Sequence, residues 1–283
     1  MHTTHTIPLP NRAPLHLGRT ALVMGILNVT PDSFSDGGRH DLVDSALAHA
    51  RLMIAEGADI IDIGGESTRP GATPVGTQQE LDRVMPVIDA LVAAGITTPI
   101  SIDTYKPLVA DQAIQAGAVI INDVHALQGA PEMAAIAALH NVPVIAMHGD
   151  KFRDRTKPIM VEMQRYFAKT IALAKIAGLA PERIILDPGF GFEKSFDEHY
   201  ALLNANTMLT EMGHPVLIGT SRKSMIGKLL GVSADQRLAG TIATTVLGYI
   251  NGGHIFRVHD VRANRDALRV AEATLYGPPS TLE

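Results

Sequence analysis

Eight short apolar runs recur along the chain, each followed by a stretch with helical spacing, and this alternation constrains the fold more than any other feature. The runs are Thr20–Leu27, Asp59–Gly64, Pro99–Asp103, Val119–Asp123, Pro143–Met147, Arg183–Asp187, Pro215–Gly219 and His254–Val258. Runs this short and this apolar read as strands buried on both faces. Between them, apolar residues return at three- and four-residue intervals, as in Leu42, Ala46, Ala50, Met53 and Ile54. Strand and helix in strict alternation imply an α/β fold with a parallel sheet. Eight units without an extra terminal run predict a single (β/α)8 TIM barrel, and 283 residues suit it, roughly 250 being usual.

The expected organisation is an unpatterned leader (1–19), one barrel (20–277) and a short tail (278–283). Long loops follow the first two strands, rich in Gly, Pro, Ser and Thr, as suits lids over a substrate. Thr77 with Glu80 reads as a capping box where the second loop ends. Gly149–Pro158 is strongly charged and reads as a solvated loop, and two helices, Met225–Leu230 and Ala234–Ile250, follow the seventh strand.

Composition removes several chemistries. With no cysteine there is no disulfide framework, thiolate metal site or cysteine nucleophile. A net charge of −5 argues against bulk attraction to nucleic acid. No run reaches the roughly 18 consecutive apolar residues of a membrane span, and His2–Arg12 lacks the apolar core of a secretory signal, so the expectation is a cytoplasmic protein.

In a parallel barrel the reactive face lies at the C-terminal ends of the strands, where polar residues from all eight exits converge. Strand ends are polar in any case, since loops need turn formers and caps. Here, however, every exit carries Asn, Asp, Lys, Arg or His within a few residues of its boundary. The seventh and eighth exits have the parts of an anion site. Ser221 and Ser224 are placed to cap a short helix from Met225, and Lys223, Arg257 and His259 add positive charge. On the other side of the mouth stand Asp103, Asn122 and Asp187, each after an apolar run and so expected to be partly buried, where a carboxylate requires donors. A flat heterocycle with a guanidine-like edge would provide these; a metal site or an acid/base pair is the competing reading, and spacing alone does not separate them.

The residues also resemble a known family. GILNVTPDSFSDGG (25–38) and ADIIDIGGESTRPG (58–71) are similar to the two signature motifs of the dihydropteroate synthases. IDT (102–104), IND (121–123), DPGFGF (187–192), GTSRKS (219–224) and RVHD (257–260) continue the pattern in order. The resemblance implies a transferase that joins 4-aminobenzoate to 7,8-dihydropterin-CH2-diphosphate, giving dihydropteroate and diphosphate, with Mg²⁺ as cofactor and a homodimer as the assembly. By resemblance, Asp103, Asn122, Asp187 and Lys223 hold the pterin, Met147 lines its slot, and Arg257 stacks on its face. Arg257, His259 and the Ser221–Ser224 turn, including Arg222, hold the diphosphate, and Asn28 helps to position Mg²⁺. Thr68 belongs to the pterin-diphosphate set, Arg69, Pro70, Phe192 and Ser221 border the aminobenzoate pocket, and Asp36 is placed to face a developing cation. The charged loop 149–158, Glu193, His125 and His199 depart from the common pattern. A corrinoid methyltransferase would be expected to lose the GTSRKS and STRP segments, and a non-catalytic paralogue to lose a lid or diphosphate residue; both sets are intact.

Overall fold

A computed structural model describes residues 2–30, 39–67 and 73–279. The sequence motif positions Asp36, Thr68, Arg69 and Pro70 lie outside these. The chain opens with an antiparallel hairpin, β1 (His5–Leu9) and β2 (Arg12–Leu17). Eight parallel strands follow: β3 (Leu22–Asn28), β4 (Ile60–Gly64), β5 (Ile100–Asp103), β6 (Ile120–Asp123), β7 (Val144–Met147), β8 (Ile184–Asp187), β9 (Leu217–Ile218) and β10 (Ile255–Val258). They pair in the order β8-β7-β6-β5-β4-β3-β10-β9, and a parallel bridge between Leu186 and Val216 joins the two ends into a ring.

The helices α1 (Arg39–Ala55), α2 (Thr77–Ala93), α3 (Pro107–Ala116), α4 (Pro131–His140) and α5 (Ile159–Ile176) each follow a strand. After β8 come α6 (Phe196–Asn204) and the single turn α7 (Thr207–Thr210); after β9 come α8 (Ser224–Leu230) and α9 (Leu238–Ile250); α10 (Val261–Tyr276) closes the series. The expected barrel is therefore present, with each predicted strand within a residue or two of its place, the seventh shortening to the two residues Leu217–Ile218.

Side chains alternate across each strand, so each strand contributes to two cores. Val23, Ile61, Ile102, Ile121, Val144, Leu186 and Phe256 face outward and pack with helix residues such as Ala46, Val87 and Val109. Met24, Ile60, Ile120, Ile145, Ile185, Leu217 and Ile255 face inward and form a separate cluster. That inner cluster includes Ile7, Leu9 and Leu17 of the hairpin. The leader, unpatterned as sequence, is thus a plug over the N-terminal mouth of the barrel. Arg183 fixes it by donating to the Pro8 carbonyl at 2.6 Å.

Two local expectations change. The capping box at Thr77 does not form: the N-cap of α2 is Gly76 without a side-chain bond, because the Glu80 carboxylate is buried against Lys106 instead. Nor do Ser221 and Ser224 cap α8, whose N-cap is Lys223, again without a side-chain bond. Ser221 is instead paired with His259.

Candidate active site

The inward-facing row changes character along each strand, from apolar at the plugged end to polar at the open end. Strand register brings the polar layer together: Gly64 pairs with Asp103, Asp103 with Asn122, and Met147 with Asp187. Asp103, Asn122, Met147, Asp187, Phe192, Lys223 and Arg257 all line one pocket, which Val124, Gly189, Phe190 and Gly219 complete. Seven positions taken from distant sequence motifs therefore meet around a single cavity.

Arg257 crosses the mouth and donates from Nε to Asp62 Oδ2 at 2.6 Å and from Nη2 to Asp103 Oδ2 at 2.7 Å. Asn122 Nδ2 donates to the same Asp62 oxygen at 3.2 Å. Asp62 and Asp103 hold Arg257 firmly protonated against the cost of its burial. Burial pushes the Asp103 carboxyl up to about 7, against the pull of Arg257 and with the charges of Asp62 and Glu80 adding to the rise. Asp187 is raised for the same first reason, opposed by the Gly189 N–H that it accepts at 2.7 Å and by Lys223. Among the described residues, Asp62 Oδ1 and Asp103 Oδ1 are buried without a hydrogen-bond partner. Buried carboxylate oxygens left so are acceptors waiting for donors.

On the other side, Lys223 Nζ stands 4.4 Å from the centroid of the Phe192 ring. Ser221 Oγ accepts from the His259 backbone N–H at 3.1 Å and lies 3.0 Å from His259 Nδ1, so the serine holds both the backbone and the ring of His259. Arg222 turns away from the pocket, its guanidinium held by both oxygens of Asp260 at 3.0 and 2.6 Å. Asn28 ends β3 on the inner face; its Oδ1 lies 3.7 Å from where a Cβ on Gly64 would stand, and the Asp103 carboxylate 3.6 Å from that point.

Two features escaped the sequence reading. Asp62 was available as a signal, being an acid in the middle of an otherwise apolar strand. The other is the burial of part of the charged loop 149–158: Arg153 is 5% exposed and donates from Nη2 to both carboxylate oxygens of Glu198, at 2.7 and 2.6 Å. Its partner lies far along the chain, where spacing gives no hint of the contact.

The family model described as pterin binding enzyme matches residues 24–259. The dihydropteroate synthase of Bacillus subtilis (strain 168) is 45% identical over 271 residues, covering 96% of this chain and 93% of its own. The chain belongs to the dihydropteroate synthases. Among solved structures, the Xanthomonas albilineans dihydropteroate synthase with 4-aminobenzoic acid superposes with a TM-score of 0.90 at 45% identity, covering 98% of this chain and 100% of that one. The same organism's enzyme in complex with 7,8-dihydropteroate gives 0.86 at 43% identity, over 96% and 100% of the two chains.

Proposed function

We propose that the chain condenses 4-aminobenzoate with (7,8-dihydropterin-6-yl)methyl diphosphate, forming 7,8-dihydropteroate and releasing diphosphate. The observation that carries this reading is one pocket lined by both buried acceptors and cations. Asp103, Asn122 and Asp187 line it together with Lys223 and Arg257, and Asp62 stands behind them, bonded to Arg257 and Asn122. A pterin presents adjacent N–H donors on its pyrimidine edge, and these suit the acceptor side; a carboxylate accepting such bonds gains charge-assisted strength.

The chemical difficulty is departure of a diphosphate while a weak aryl amine waits. Cations fixed before the reaction stabilise charge as it collects on the leaving group, and they need no reorganisation at that moment. Lys223 and Arg257 take that role, and His259, paired with Ser221, is assigned to the diphosphate by family resemblance. The electron-rich ring can share the positive charge left on the CH2, which favours a dissociative step, and Asp36 is assigned to face that cation. The amine attacks in its neutral form, and the proton that the new C–N bond makes acidic leaves to water or to the departing diphosphate, so no general base is invoked. Thr68, Arg69, Pro70 and Phe192 are assigned to the substrates by family resemblance.

Magnesium fits as an ion carried on the diphosphate. Among the described residues no group of three or more His, Asp or Glu side chains could hold a metal, and Mg²⁺ commonly uses one or two protein oxygens plus substrate phosphates. Asn28, whose amide oxygen lies near Gly64 and Asp103, would supply one such ligand. When bound, Mg²⁺ would neutralise charge on the leaving diphosphate.

The proposed location is the cytoplasm, and no helix among the described residues is long and apolar enough to cross a membrane. The proposed assembly is a homodimer through α8 and α9, where Leu229, Leu230, Leu238, Leu247 and Ile250 are exposed at 38% to 60%. Sedimentation at twice the 30.2 kDa chain mass is expected. Mixing the purified protein with the pterin diphosphate, labelled 4-aminobenzoate and Mg²⁺ tests the reaction: equal amounts of dihydropteroate and diphosphate are expected, and absence of both rejects it.

A further inference from the structure

Behind the pocket wall, a lysine outside both assigned substrate sets joins two loops of the mouth. Lys194 follows the DPGFGF segment, and its Nζ donates to the Phe192 carbonyl at 2.9 Å, the His148 carbonyl at 3.0 Å and His148 Nδ1 at 3.1 Å. These are three acceptors for the three donors of an ammonium, and none is a carboxylate. Burial pulls this ammonium down to about 7; Asp187 and Glu198 oppose the fall, while Arg153 and Lys223 add to it. An ammonium placed at such cost, without an ion pair among the described residues, is offset by what it fixes in place.

What it fixes is the spacing of two pocket walls. His148 follows Met147 at the exit of β7, and Phe192 ends the loop that leaves β8; Met147 and Phe192 both line the pocket. The loops already approach closely: Gly189 has φ +70°, and a Cβ there would lie 2.3 Å from the His148 carbonyl oxygen. His148 is fully buried, its ring edge against Tyr166 with centroids 4.8 Å apart. Burial, then the charges of Lys194 and Arg153, hold it neutral down to about 2, and the Lys194 ammonium 3.1 Å from Nδ1 favours the tautomer in which that nitrogen accepts. Beyond Lys194, Arg153 pairs with Glu198, whose carboxylate also accepts the Ser195 N–H at the start of α6. The unusual charged loop after β7 is thereby tied to the segment after β8.

We propose that Lys194 is a positioning residue for the pterin slot: by bridging the carbonyls of His148 and Phe192 it sets the gap between the loops carrying Met147 and Phe192, and with it affinity for the flat ring. This rests on the pterin reading of the pocket. The test compares Lys194→Met, Lys194→Arg and Asp187→Asn in the full chain, with circular dichroism and thermal melts showing which are folded. In Lys194→Met, KM for the pterin diphosphate and the Kd of a pterin lacking diphosphate are expected to rise about tenfold, near the 1.4 kcal/mol of one decade. KM for 4-aminobenzoate, the Kd of inorganic diphosphate and kcat are expected to change little, and Lys194→Arg, which keeps N–H donors, recovers part of the loss. If Lys194→Met does not fold, Lys194→Gln is measured in its place with the same expectation. Wild-type pterin affinity in a folded variant overturns the proposal, as does equal loss of affinity for pterin, aminobenzoate and diphosphate. An effect of Asp187→Asn alone removes only Lys194; no effect of either removes the pterin reading as well.

Discussion

Lys223 is a residue whose value is chemical rather than structural. Its ammonium stands over the Phe192 ring at the pocket lining, and a partly exposed cation contributes little to folding. Lys223→Ala is therefore expected to lose about a hundredfold or more in kcat/KM, in line with removal of one preorganised electrostatic group, while the melting temperature stays within a few degrees. Wild-type turnover in that variant would refute its role. Asp187 differs because it is buried and accepts one backbone N–H already. Asp187→Asn is expected to weaken pterin binding by about 1–3 kcal/mol, the range for a lost charge-assisted bond. Isothermal titration with a pterin measures this directly, and unchanged affinity would take Asp187 out of the slot. At this scale the sequence was legible where a polar residue stands at a strand's end, as with Asp103 and Asp187. It was less so for Asp62, which lies within an apolar run, and for Arg222, whose motif position suggested substrate contact although Asp260 holds its side chain elsewhere.

Among the elements, the strands were readable because burial on both faces leaves each as a bare apolar run between turn residues. The helices were readable from their stripe. The hairpin was not, because its six-residue second strand, RAPLHL, alternates only weakly and its partner surface is the barrel interior, which spacing cannot reveal. Ile7 of that hairpin is fully buried with Met24, Ile60 and Ile255. Ile7→Ala is expected to destabilise the fold by about 2–5 kcal/mol, the cost of a large-to-small change in a packed core. Chemical denaturation gives the value, and a loss below about 0.5 kcal/mol would mean that the plug is not part of the cooperative core. The capping signals at Thr77 and Ser221 failed for a shared reason: a tertiary partner, Lys106 for Glu80 and His259 for Ser221, outcompetes the local backbone bond.

For the molecule as a whole, the N-terminal face carries a pH dependence. His254 accepts the Val216 N–H at Nδ1 and donates from Nε2 to the Thr3 carbonyl, packs edge-on to the rings of His2 and His5, and is held down to about 4 from its ordinary 6.5, first by burial and then by His5. A histidine with a depressed folded-state value binds its proton first in the unfolded chain. Stability is therefore full above pH 6.5 and falls as the pH drops toward 4, by about 3 kcal/mol from this residue, at about 1.4 kcal/mol per pKa unit. Urea unfolding at pH 7 and pH 4.5 is expected to show a smaller difference in His254→Gln than in the wild type; equal differences would assign the acid sensitivity elsewhere.

The ring of parallel strands is what turns scattered positions into one pocket, and a crystal grown with the pterin diphosphate and Mg²⁺ tests that claim most directly. The ring's N–H edge should be found on Asp103, Asn122 and Asp187, with its diphosphate toward Lys223, Arg257 and His259. A ligand bound elsewhere, or held in the pocket with its diphosphate against the carboxylates, would contradict the account.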